Sequence, residues 1–369
     1  MDAILLVIII TLIFQLLFVL WNIAAFPTLK KTADETAVQP RISVLIPARN
    51  EEKNIKACLD SVIKQTFAPY EIVVLNDHST DQTASFVESF NTSEPPVRLV
   101  EGEDLPDGWV GKSFACQQLA DHAQGDWFVF LDADARLEND ALEKLIPLLH
   151  EQKSGIVSGF PRQIVRSWME KLVVTMMQFV IICHLPIRYV QKAKSPKFAA
   201  AHGAFIVVER SSYLKVGGHA AIRTSLLDDM QLMKQFKSFG YPATLAKIDS
   251  IVYMRMYANA RQVWLGYQKN LFAGINRSGF LFSSIFYYYS FLYLLPWFIL
   301  LFGGNMFYVI SAYGLGALTK IIIDLSNRVF TLASFLLPIS VVLMLSIATD
   351  SLLRSYQKRG YEWKGRRYL

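Results

Sequence analysis

The amino-acid sequence predicts an α/β protein, with a three-layer domain that is held in a membrane by apolar helices at both ends. Residues 3–29 contain no charged side chain, and neither do residues 278–319 and 329–349. From residue 41 onward, short β-branched runs alternate with helical patterns. Such alternation predicts a mostly parallel sheet with helices on both faces.

The composition favours a membrane partner over a nucleic acid. The chain has 369 residues, is 53% hydrophobic and carries a formal net charge of +6. With apolar ends, a basic balance is typical of side chains that face an anionic membrane surface. No run of Arg and Lys with interleaved aromatics indicates a nucleic-acid groove. The three cysteines, Cys58, Cys116 and Cys183, form no CxxC pair and are interpreted as core residues in a reducing compartment.

The N-terminal apolar stretch, residues 3–26, is predicted to be a retained transmembrane anchor. It exceeds the roughly 20 apolar residues that a span needs, and it lacks the basic leader of a signal peptide. Lys30 and Lys31 follow it directly. The positive-inside rule then places the N-terminus outside and the region after Lys30 in the cytoplasm of a multi-pass cell-membrane protein.

Residues 278–349 are predicted to form a C-terminal membrane region. Gly303, Gly304 and Asn305 interrupt the first run, so a hairpin of two spans would give three C-terminal crossings and an external tail. The tail, residues 350–369, is strongly basic, which favours a cytoplasmic position. We therefore expect residues 304–319 to be re-entrant or interfacial, with two true crossings and a cytoplasmic tail.

A third apolar stretch lies inside the central region, at residues 172–185. Fourteen residues are too few for a span and are typical of a buried or interfacial helix. A single crossing there would also separate the two halves of the central domain. We expect an interfacial helix that lines the path of a lipid acceptor.

The central strands are predicted from five short β-branched runs. Ligands in such sheets bind beyond the carboxyl ends of the strands, so the polar residues that follow each run are the candidate site residues. The runs are ISVLIP (42–47), EIVVLN (71–76), VRLV (97–100), WFVFLD (127–132) and GIVSGF (155–160).

The first two strand ends carry acids with two interpretations each. In LIPARNEE, Glu51 and Glu52 are candidate site residues. The alternative is that they suit the first turn of a helix that Asn50 could cap. In NDHSTDQT, Asp77 follows the strand directly and is placed to bind a ribose or a base. An Asx-turn is the alternative for Asp77.

The fourth strand ends in LDADA, with Asp132 and Asp134. Successive side chains of an extended segment point to opposite faces, so one acid could meet a sugar hydroxyl while the other reaches a divalent metal. Mg²⁺ and Mn²⁺ favour carboxylate oxygens, and Mg²⁺ commonly binds one or two carboxylates together with substrate phosphates. The alternative is a polar turn.

The stretch PDGWVGKS resembles a P-loop, but Pro106 stands where that motif requires glycine. An NTPase is therefore disfavoured. Lys112 remains a candidate ligand for a diphosphate, with a solvated surface lysine as the alternative.

In SLLDDMQL, Asp228 and Asp229 lie at the start of an amphipathic helix. They could serve as helix-terminal acids, or one could act as a general base. His202 and His219 have no metal-ligand spacing, and we interpret them as structural or substrate-lining residues.

Together these motifs resemble those of a family 2 glycosyltransferase with the GT-A fold. The matching stretches are PARNEE, NDHSTDQT, GKSFACQQLA, LDADA, GAFIVVERSSYLKVGG and LLDDMQL, within a catalytic domain at residues 41–275. With LPDGWVGKSFACQQLA, the apolar ends and the tail EWKGRRYL, the chain is similar to carotenoid-acid (diaponeurosporenoate) glycosyltransferases. Hopanoid-associated and ceramide glucosyltransferases are more distant.

The resemblance implies a role for each site residue. Pro47, Glu51 and Asp77 would line the nucleotide, with Lys112 near uracil or diphosphate. Asp132 would contact the ribose or sugar, and Asp134 would hold Mg²⁺ or Mn²⁺. Asp229 would be the catalytic base, with Asp228 in place of the family's usual Glu. The QxxRW motif of processive members is absent, and Arg261 and Trp264 in RQVWLGY would replace it in part.

The implied reaction is the inverting, non-processive transfer of one sugar from a nucleotide-diphospho-sugar to a membrane lipid. UDP-glucose is the expected donor, and a carotenoid or terpenoid acid or alcohol is the expected acceptor. Two rival hypotheses are a non-catalytic nucleotide-sugar-binding membrane protein on the same fold and a transporter. A transporter is disfavoured because the apolar segments contain almost no ionisable residue.

Overall fold

The computed structural model describes residues 1–29, 31, 39–357, 361–363 and 366–368. Lys30, Lys358, Arg359 and Lys364, on which the topology prediction partly depends, lie outside the described residues.

The helices are numbered in chain order. They are α1 (Asp2–Ala24), α2 (Ile55–Ile63), α3 (Thr83–Glu88), α4 (Gly111–His122), α5 (Ala141–Gln152), α6 (Met176–His184), α7 (Ile187–Lys192), α8 (Arg210–Lys215), α9 (Asp228–Ser238), α10 (Ala260–Gly274), α11 (Gly279–Tyr289), α12 (Leu295–Leu301), α13 (Met306–Ser326) and α14 (Leu337–Tyr356). Short π-helical turns occupy Glu170–Val174 and Ser290–Leu294, and 3₁₀ turns occupy Pro196–Phe198, Gly218–Ile222 and Leu332–Phe335.

The strands are likewise numbered in chain order. They are β1 (Ile42–Ala48), β2 (Glu71–Asn76), β3 (Val97–Glu101), β4 (Trp127–Leu131), β5 (Ala135–Leu137), β6 (Ile156–Ser158), β7 (Arg162–Gln163), β8 (Phe205–Glu209), β9 (Ala243–Leu245), β10 (Val252–Met254), β11 (Tyr361–Trp363) and β12 (Arg366–Tyr368).

The chain divides into two compact units. The first, here called the sheet unit, comprises Phe26–Arg162 and Ile187–Arg255. The second, the helical unit, comprises Met1–Ala25, Gln163–Pro186 and Met256–Leu369. Residues 163–186 and 256–275, which the sequence assigns to the catalytic domain, therefore group with the apolar helices.

The sheet unit is built on a seven-stranded sheet with the order β3-β2-β1-β4-β8-β6-β9 among the described residues. The pairs β1–β2, β2–β3 and β1–β4 are parallel, and so is β6–β9, whereas β8 is antiparallel to both β4 and β6. The predicted mostly parallel sheet is confirmed, with β8 as its reversed member. Each of the five predicted runs contains a strand, although β4 ends at Leu131 and β6 covers only Ile156–Ser158 of the predicted run 155–160.

The central strands β1 and β4 are almost entirely apolar because both faces of the sheet are covered. Every residue of β4 is buried, and so is all of β1 except Pro47. Strands buried on both faces contain continuous hydrophobic runs rather than alternating ones. Phe128 and Phe130 of β4 pack around Tyr213 of α8, with ring centroids 6.0 and 5.8 Å away. This packing fixes the end of β4 from which Asp132 projects.

The helical unit begins with α1, whose buried side chains follow a heptad pattern. They recur at alternating spacings of three and four residues, which is the pattern of a helix that packs one seam against a neighbour. The principal neighbour is α13. The buried side chains are Leu5, Ile8, Leu12, Gln15, Val19 and Asn22.

Two of these seam residues are polar, and both have hydrogen-bond partners. Gln15 donates to the Tyr288 hydroxyl at 3.1 Å, and Asn22 donates to the carbonyls of Ile182 and Leu185 at 2.8 and 2.6 Å. The carbonyls at the end of α6 would otherwise lack intrahelical partners. The N-terminal helix is therefore a packed element of the helical unit as well as a candidate anchor.

Among the described residues, four helical segments are long and apolar enough to cross a membrane: Asp2–Ala24, Gly279–Leu301, Met306–Ser326 and Leu337–Tyr356. The helical structure is interrupted between the second and third segments, near Gly303 and Gly304. A hairpin of two spans, the alternative with three C-terminal crossings, requires such an interruption. We expected residues 304–319 to be too short for a span. The helix instead continues past Thr319 to Ser326, which removes the length argument for a re-entrant segment.

The last two turns of α13 contain two charged side chains that neutralise each other. Lys320 and Asp324 form an ion pair one helical turn apart, with side chains only 1% and 2% exposed. Lys320 also donates to the Thr175 hydroxyl at 2.9 Å, and Ser334 donates to Asp324 at 2.7 Å. Lys320 is therefore an interior residue of the helix and does not mark its end.

Candidate active site

The candidate site lies in the sheet unit, beyond the carboxyl ends of β1 and β4. Strands β1, β2 and β3 follow one another in the chain and lie side by side in the sheet. The next strand, β4, lies on the opposite side of β1 from β2. The strand order thus reverses between β1 and β4. Open α/β sheets bind ligands at such a switch point, and the sequence-predicted acids follow these strands.

The loop after β1 does not have the geometry of a simple helix start. The helix α2 begins only at Ile55, so Glu51 and Glu52 precede its first turn. Asn50 has a left-handed backbone (φ 53°), and its side chain accepts a hydrogen bond from the Thr80 amide at 2.9 Å. The capping interpretation of these residues is therefore wrong. Pro47 lies in β1, in register with Leu75 of β2.

Asp77 follows β2 and is paired across the loops. Its amide donates to the Ala48 carbonyl at 2.8 Å. The Arg49 guanidinium donates to the Asp77 carbonyl at 2.7 Å and lies 3.9 Å from its carboxylate. The Asn76 side chain makes the local turn, because its Oδ1 accepts from the Ser79 amide. The structure thus assigns that turn to Asn76, and Asp77 faces Arg49.

Lys112 is the centre of the charged cluster at this edge. Its Nζ lies 2.7 Å from Asp132 Oδ1 and 4.0 Å from Asp228 Oδ2. It also donates to the Gly203 carbonyl at 3.4 Å. The interpretation of Lys112 as a solvated surface lysine is therefore wrong. Lys112, Asp132 and Asp228, which lie far apart in the chain, meet at one place.

Burial by itself would lower the pKa of Lys112, but the charges of Asp132 and Asp228 more than offset it. The pKa of Lys112 therefore lies well above its usual range. Burial raises the pKa of Asp132, while Lys112 opposes that rise. The lysine remains a cation at neutral pH, and it offsets part of the negative charge at the site.

Asp229 is the neighbouring acid and the one with the most altered titration. Its Oδ1 accepts from the Met230 amide at 2.7 Å. Burial raises its pKa to about 7, and the adjacent charge of Asp228 adds to the rise. A carboxylate with this pKa is suited to accept a proton at neutral pH.

Asp228 is 8% exposed, and its Oδ2 has no hydrogen-bond partner among the described residues. Buried carboxylate oxygens are normally hydrogen-bonded. The only cation near this oxygen in that part of the chain is Lys112, at 4.0 Å. One carboxylate oxygen of Asp228 thus lacks a hydrogen bond in the described residues.

Asp134 lies in the turn between β4 and β5, two residues beyond Asp132. The turn is closed by the Ala135 amide, which donates to the Asp132 carbonyl at 2.9 Å. No group of three acids, histidines or cysteines with metal-binding geometry occurs in the described residues. The donor chemistry still suits Mg²⁺ or Mn²⁺, because such ions bind one or two carboxylates together with substrate phosphate oxygens.

The sequence did not identify Gly203 as a site residue. A Cβ atom there would lie 2.9 Å from Lys112 Nζ and 3.6 Å from Asp229 Oδ2, so a side chain at this position would displace the Lys112 ammonium group. The available signal was its position two residues before β8, whose antiparallel direction brings its start to the end of β4. That reversal could not be predicted from the sequence.

The two histidines near this region are neutral at physiological pH. Burial lowers the pKa of His202 to about 4 and that of His219 to about 4. His219 Nδ1 is 2.7 Å from the Tyr213 hydroxyl, and His202 Nδ1 accepts from the Ala204 amide. Their described contacts are with the protein itself, in agreement with a structural role.

Arg261 and Trp264 belong to the helical unit, on α10. Trp264 Nε1 donates to Asp350 Oδ2 of α14 at 2.7 Å. Their assignment to the nucleotide sugar stays a prediction.

The sequence is similar to known glycosyltransferases. The family described as glycosyl transferase family 2 matches residues 43–217. A 4,4'-diaponeurosporenoate glycosyltransferase of Staphylococcus haemolyticus is 30% identical over 248 residues, which cover 66% of this chain and 64% of that protein. The protein of the same name from Staphylococcus aureus is 30% identical over 237 residues, or 63% and 61% of the two chains. The chain thus spans slightly under two thirds of the length of these curated relatives.

A solved structure shares the fold. The mannosyltransferase PcManGT from Pyrobaculum calidifontis, in complex with GDP-Man and Mn²⁺, matches with a TM-score of 0.60 at 19% identity. The match covers 97% of this chain and 99% of the other. The GT-A fold predicted from the motifs is confirmed.

Proposed function

We propose that this chain, which carries a glycosyltransferase family 2 domain at residues 43–217, transfers one sugar from a nucleotide-diphospho-sugar to a membrane lipid with inversion. The observation that carries the proposal is the cluster of Lys112, Asp132, Asp228 and Asp229. It combines an acid whose pKa is about 7 with a fixed cation at the switch point of the sheet.

The donor would bind across the carboxyl ends of β1, β2 and β4. Pro47, Glu51 and Asp77 would line the nucleoside, and Asp132 would contact the ribose or the sugar. Lys112 would meet the diphosphate, for which its ammonium is a suitable point charge. UDP-glucose is the donor that we propose, and it is the first to test.

Asp134 would hold Mg²⁺ or Mn²⁺ together with the donor diphosphate. The bound ion would supply Lewis-acid stabilisation of the charge on the leaving group. The structural relative was solved with Mn²⁺, which supports a test with that ion.

The reaction proposed is a single in-line displacement. Asp229 takes the proton of the acceptor hydroxyl, the acceptor oxygen bonds to the anomeric carbon, and the bond from that carbon to the diphosphate oxygen breaks. The nucleoside diphosphate leaves with the electron pair, and the configuration inverts. Asp228 raises the proton affinity of Asp229 through its charge.

The acceptor that we propose is a carotenoid or terpenoid acid or alcohol. The names of the Staphylococcus relatives support an acid. A carboxylic acid is already ionised near pH 7, so it would need little base. Asp229 would then mainly orient the acceptor.

The chain would act as a multi-pass cell-membrane protein with the sheet unit in the cytoplasm. Lys31, seven residues beyond the end of the first candidate span, supports this orientation through the positive-inside rule. A basic cytoplasmic tail at residues 350–369 requires that only two of the three C-terminal candidate segments cross the membrane. That tail and an interfacial position for residues 172–185 belong to the same proposal.

The test is transfer of labelled glucose from UDP-glucose into membrane lipid extracts, with and without Mn²⁺ or Mg²⁺. We expect a labelled lipid whose formation stops when the metal is chelated. Donor binding with no turnover for any nucleotide sugar would contradict the proposal and favour a non-catalytic binding protein.

A further inference from the structure

One surface of the sheet unit is not used by the proposed reaction: the segment formed by residues 187–198, here called the basic segment. It comprises α7, a short connection and the 3₁₀ turn Pro196–Phe198. All of its charges are positive and all are exposed: Arg188, Lys192, Lys194 and Lys197. No acid occurs between Glu170 and Glu209.

These four cations have no ion-pair partner in the part of the chain that the structure describes. Elsewhere in the sheet unit, cations such as Arg41, Arg98 and Lys144 do pair with carboxylates. A group of unpaired, like-charged side chains raises the local positive potential. The surface is therefore complementary to an anionic partner.

The basic segment is also held rigidly from beneath. Ile187 and Val190 are 1% and 0% exposed and pack into the sheet unit. The buried Lys237 donates to the carbonyls of Val190 and Ala193, each at 2.6 Å. These bonds satisfy carbonyls that the short helix leaves open. The outward face is thus presented on a fixed backbone.

An aromatic side chain lies among the cations. Tyr189 is 48% exposed, and its ring is 5.5 Å from that of Phe198. Tyrosine is enriched where protein meets the headgroup region of a membrane. Basic side chains beside an exposed aromatic, over a buried apolar face, are typical of a segment that lies on an anionic membrane surface.

Chain continuity points to the same partner. Pro186 is the last residue of a segment of the helical unit, which contains the four candidate spans, and Ile187 is the next residue. We propose that the basic segment docks the sheet unit onto anionic lipid headgroups. The inference depends on the membrane spans and is independent of the proposed sugar transfer.

The test uses the full chain in lipid nanodiscs and needs no activity. Gln191 is exposed, and Cys58, Cys116 and Cys183 are buried, so a Gln191→Cys substitution gives a selective labelling position. A fluorophore at that position would be quenched by a headgroup-attached quencher. Nanodiscs of phosphatidylcholine alone are compared with nanodiscs that also contain phosphatidylglycerol.

We expect stronger quenching in the anionic nanodiscs, and we expect added salt to remove the difference. Replacing all four cations of the basic segment by glutamine should abolish the difference, and each single replacement should lower headgroup occupancy about fivefold. The matched control replaces four exposed lysines elsewhere in the sheet unit, Lys53, Lys64, Lys153 and Lys215, and should retain the difference.

Equal quenching in the two kinds of nanodisc would overturn the proposal, and so would a difference that survives in the four-glutamine variant. A change in the fluorescence of the label when inorganic pyrophosphate is added in neutral nanodiscs would assign the segment to a free phosphate ligand instead. The salt titration on the chain with all four cations intact keeps the test valid if the four-glutamine variant folds poorly.

Discussion

The two units each bring a lysine and an aspartate together in their interior, but they do so differently. In the helical unit, Lys320 and Asp324 are almost completely buried, and Thr175 and Ser334 complete their hydrogen bonding. In the sheet unit, Lys112 and Asp132 remain 21% and 28% exposed. The neighbouring Asp228 keeps an oxygen without a hydrogen bond in the described residues.

We use this difference to distinguish a structural charge pair from the pair that we propose to be functional. A buried pair whose hydrogen-bonding groups are all satisfied has no capacity left for a ligand. A partly open cluster with an unsatisfied oxygen and an acid of raised pKa is the usual environment of a catalytic group. The comparison predicts that substitutions in the helical unit affect stability, whereas substitutions in the sheet unit affect transfer.

The largest effect is expected for Asp229→Asn. Loss of a general base typically lowers the rate by about 10²- to 10⁴-fold, so we expect that loss with a terpenoid alcohol acceptor. With a terpenoid acid, which is already ionised, we expect less than about a tenfold loss. Initial rates with the two acceptors check the prediction.

The matched control for Asp229→Asn is Asp60→Asn, at an exposed position of α2, which should leave both rates unchanged. Donor affinity should also be unchanged in Asp229→Asn. An equal, small loss of rate with both acceptors would contradict the role of Asp229 as the base.

The second prediction concerns Lys320→Met in the helical unit. It leaves Asp324 buried without its counter-ion, which should cost about 3 to 5 kcal/mol of unfolding free energy. Thermal unfolding in detergent is the measurement. The double variant Lys320→Met with Asp324→Leu should regain most of the lost stability. A double variant that stays as unstable as the single one would refute the comparison.

Lys112→Met in the sheet unit should weaken donor binding and leave stability nearly unchanged. Because Lys112 is partly exposed and faces the proposed diphosphate position, we expect about a 10- to 100-fold weaker donor affinity, the equivalent of 1.4 to 2.8 kcal/mol. We expect stability to change by less than about 1 kcal/mol. Titration calorimetry with the donor and thermal unfolding check the two parts. Lys53→Met, at an exposed position, is the control.

The smallest effect is a pH dependence. Asp229 must be deprotonated to act as a base, and its pKa is about 7. With an alcohol acceptor, kcat/KM should therefore fall about tenfold per pH unit below 7 and level off above it. An acid acceptor should give a flat profile over the same range. A rate that rises as the pH falls from 7 would show that Asp229 is not the base.

Much of the sheet unit could be predicted because its signals are local. The runs that became β1, β2 and β4 are rich in apolar side chains, and Asp77 and Asp132 follow two of them directly. The sequence could not show that Lys112 pairs with Asp132, because that contact depends on how α4 packs. It also could not place Gly203, whose position depends on the reversed direction of β8.

The helical unit was harder to predict for a different reason. Hydropathy treats Lys320 as a boundary, so the predicted segment stopped at Thr319. Whether a charge ends a span depends on its partner, and Asp324 lies one turn further along the same helix. The heptad seam of α1, in contrast, is present in the sequence at fixed spacing, although the sequence does not identify α13 as the partner.

The position of Asp324 has a consequence for how α13 enters the membrane during synthesis. A helix that contains its own counter-ion reaches the lipid with no net charge, before the later segment that contains Ser334 has been made. The cost of dehydrating a lone ammonium group is thereby avoided at the step when the segment leaves water. The pair therefore allows α13 to insert before the segment that contains Ser334 supplies its hydrogen bond to Asp324.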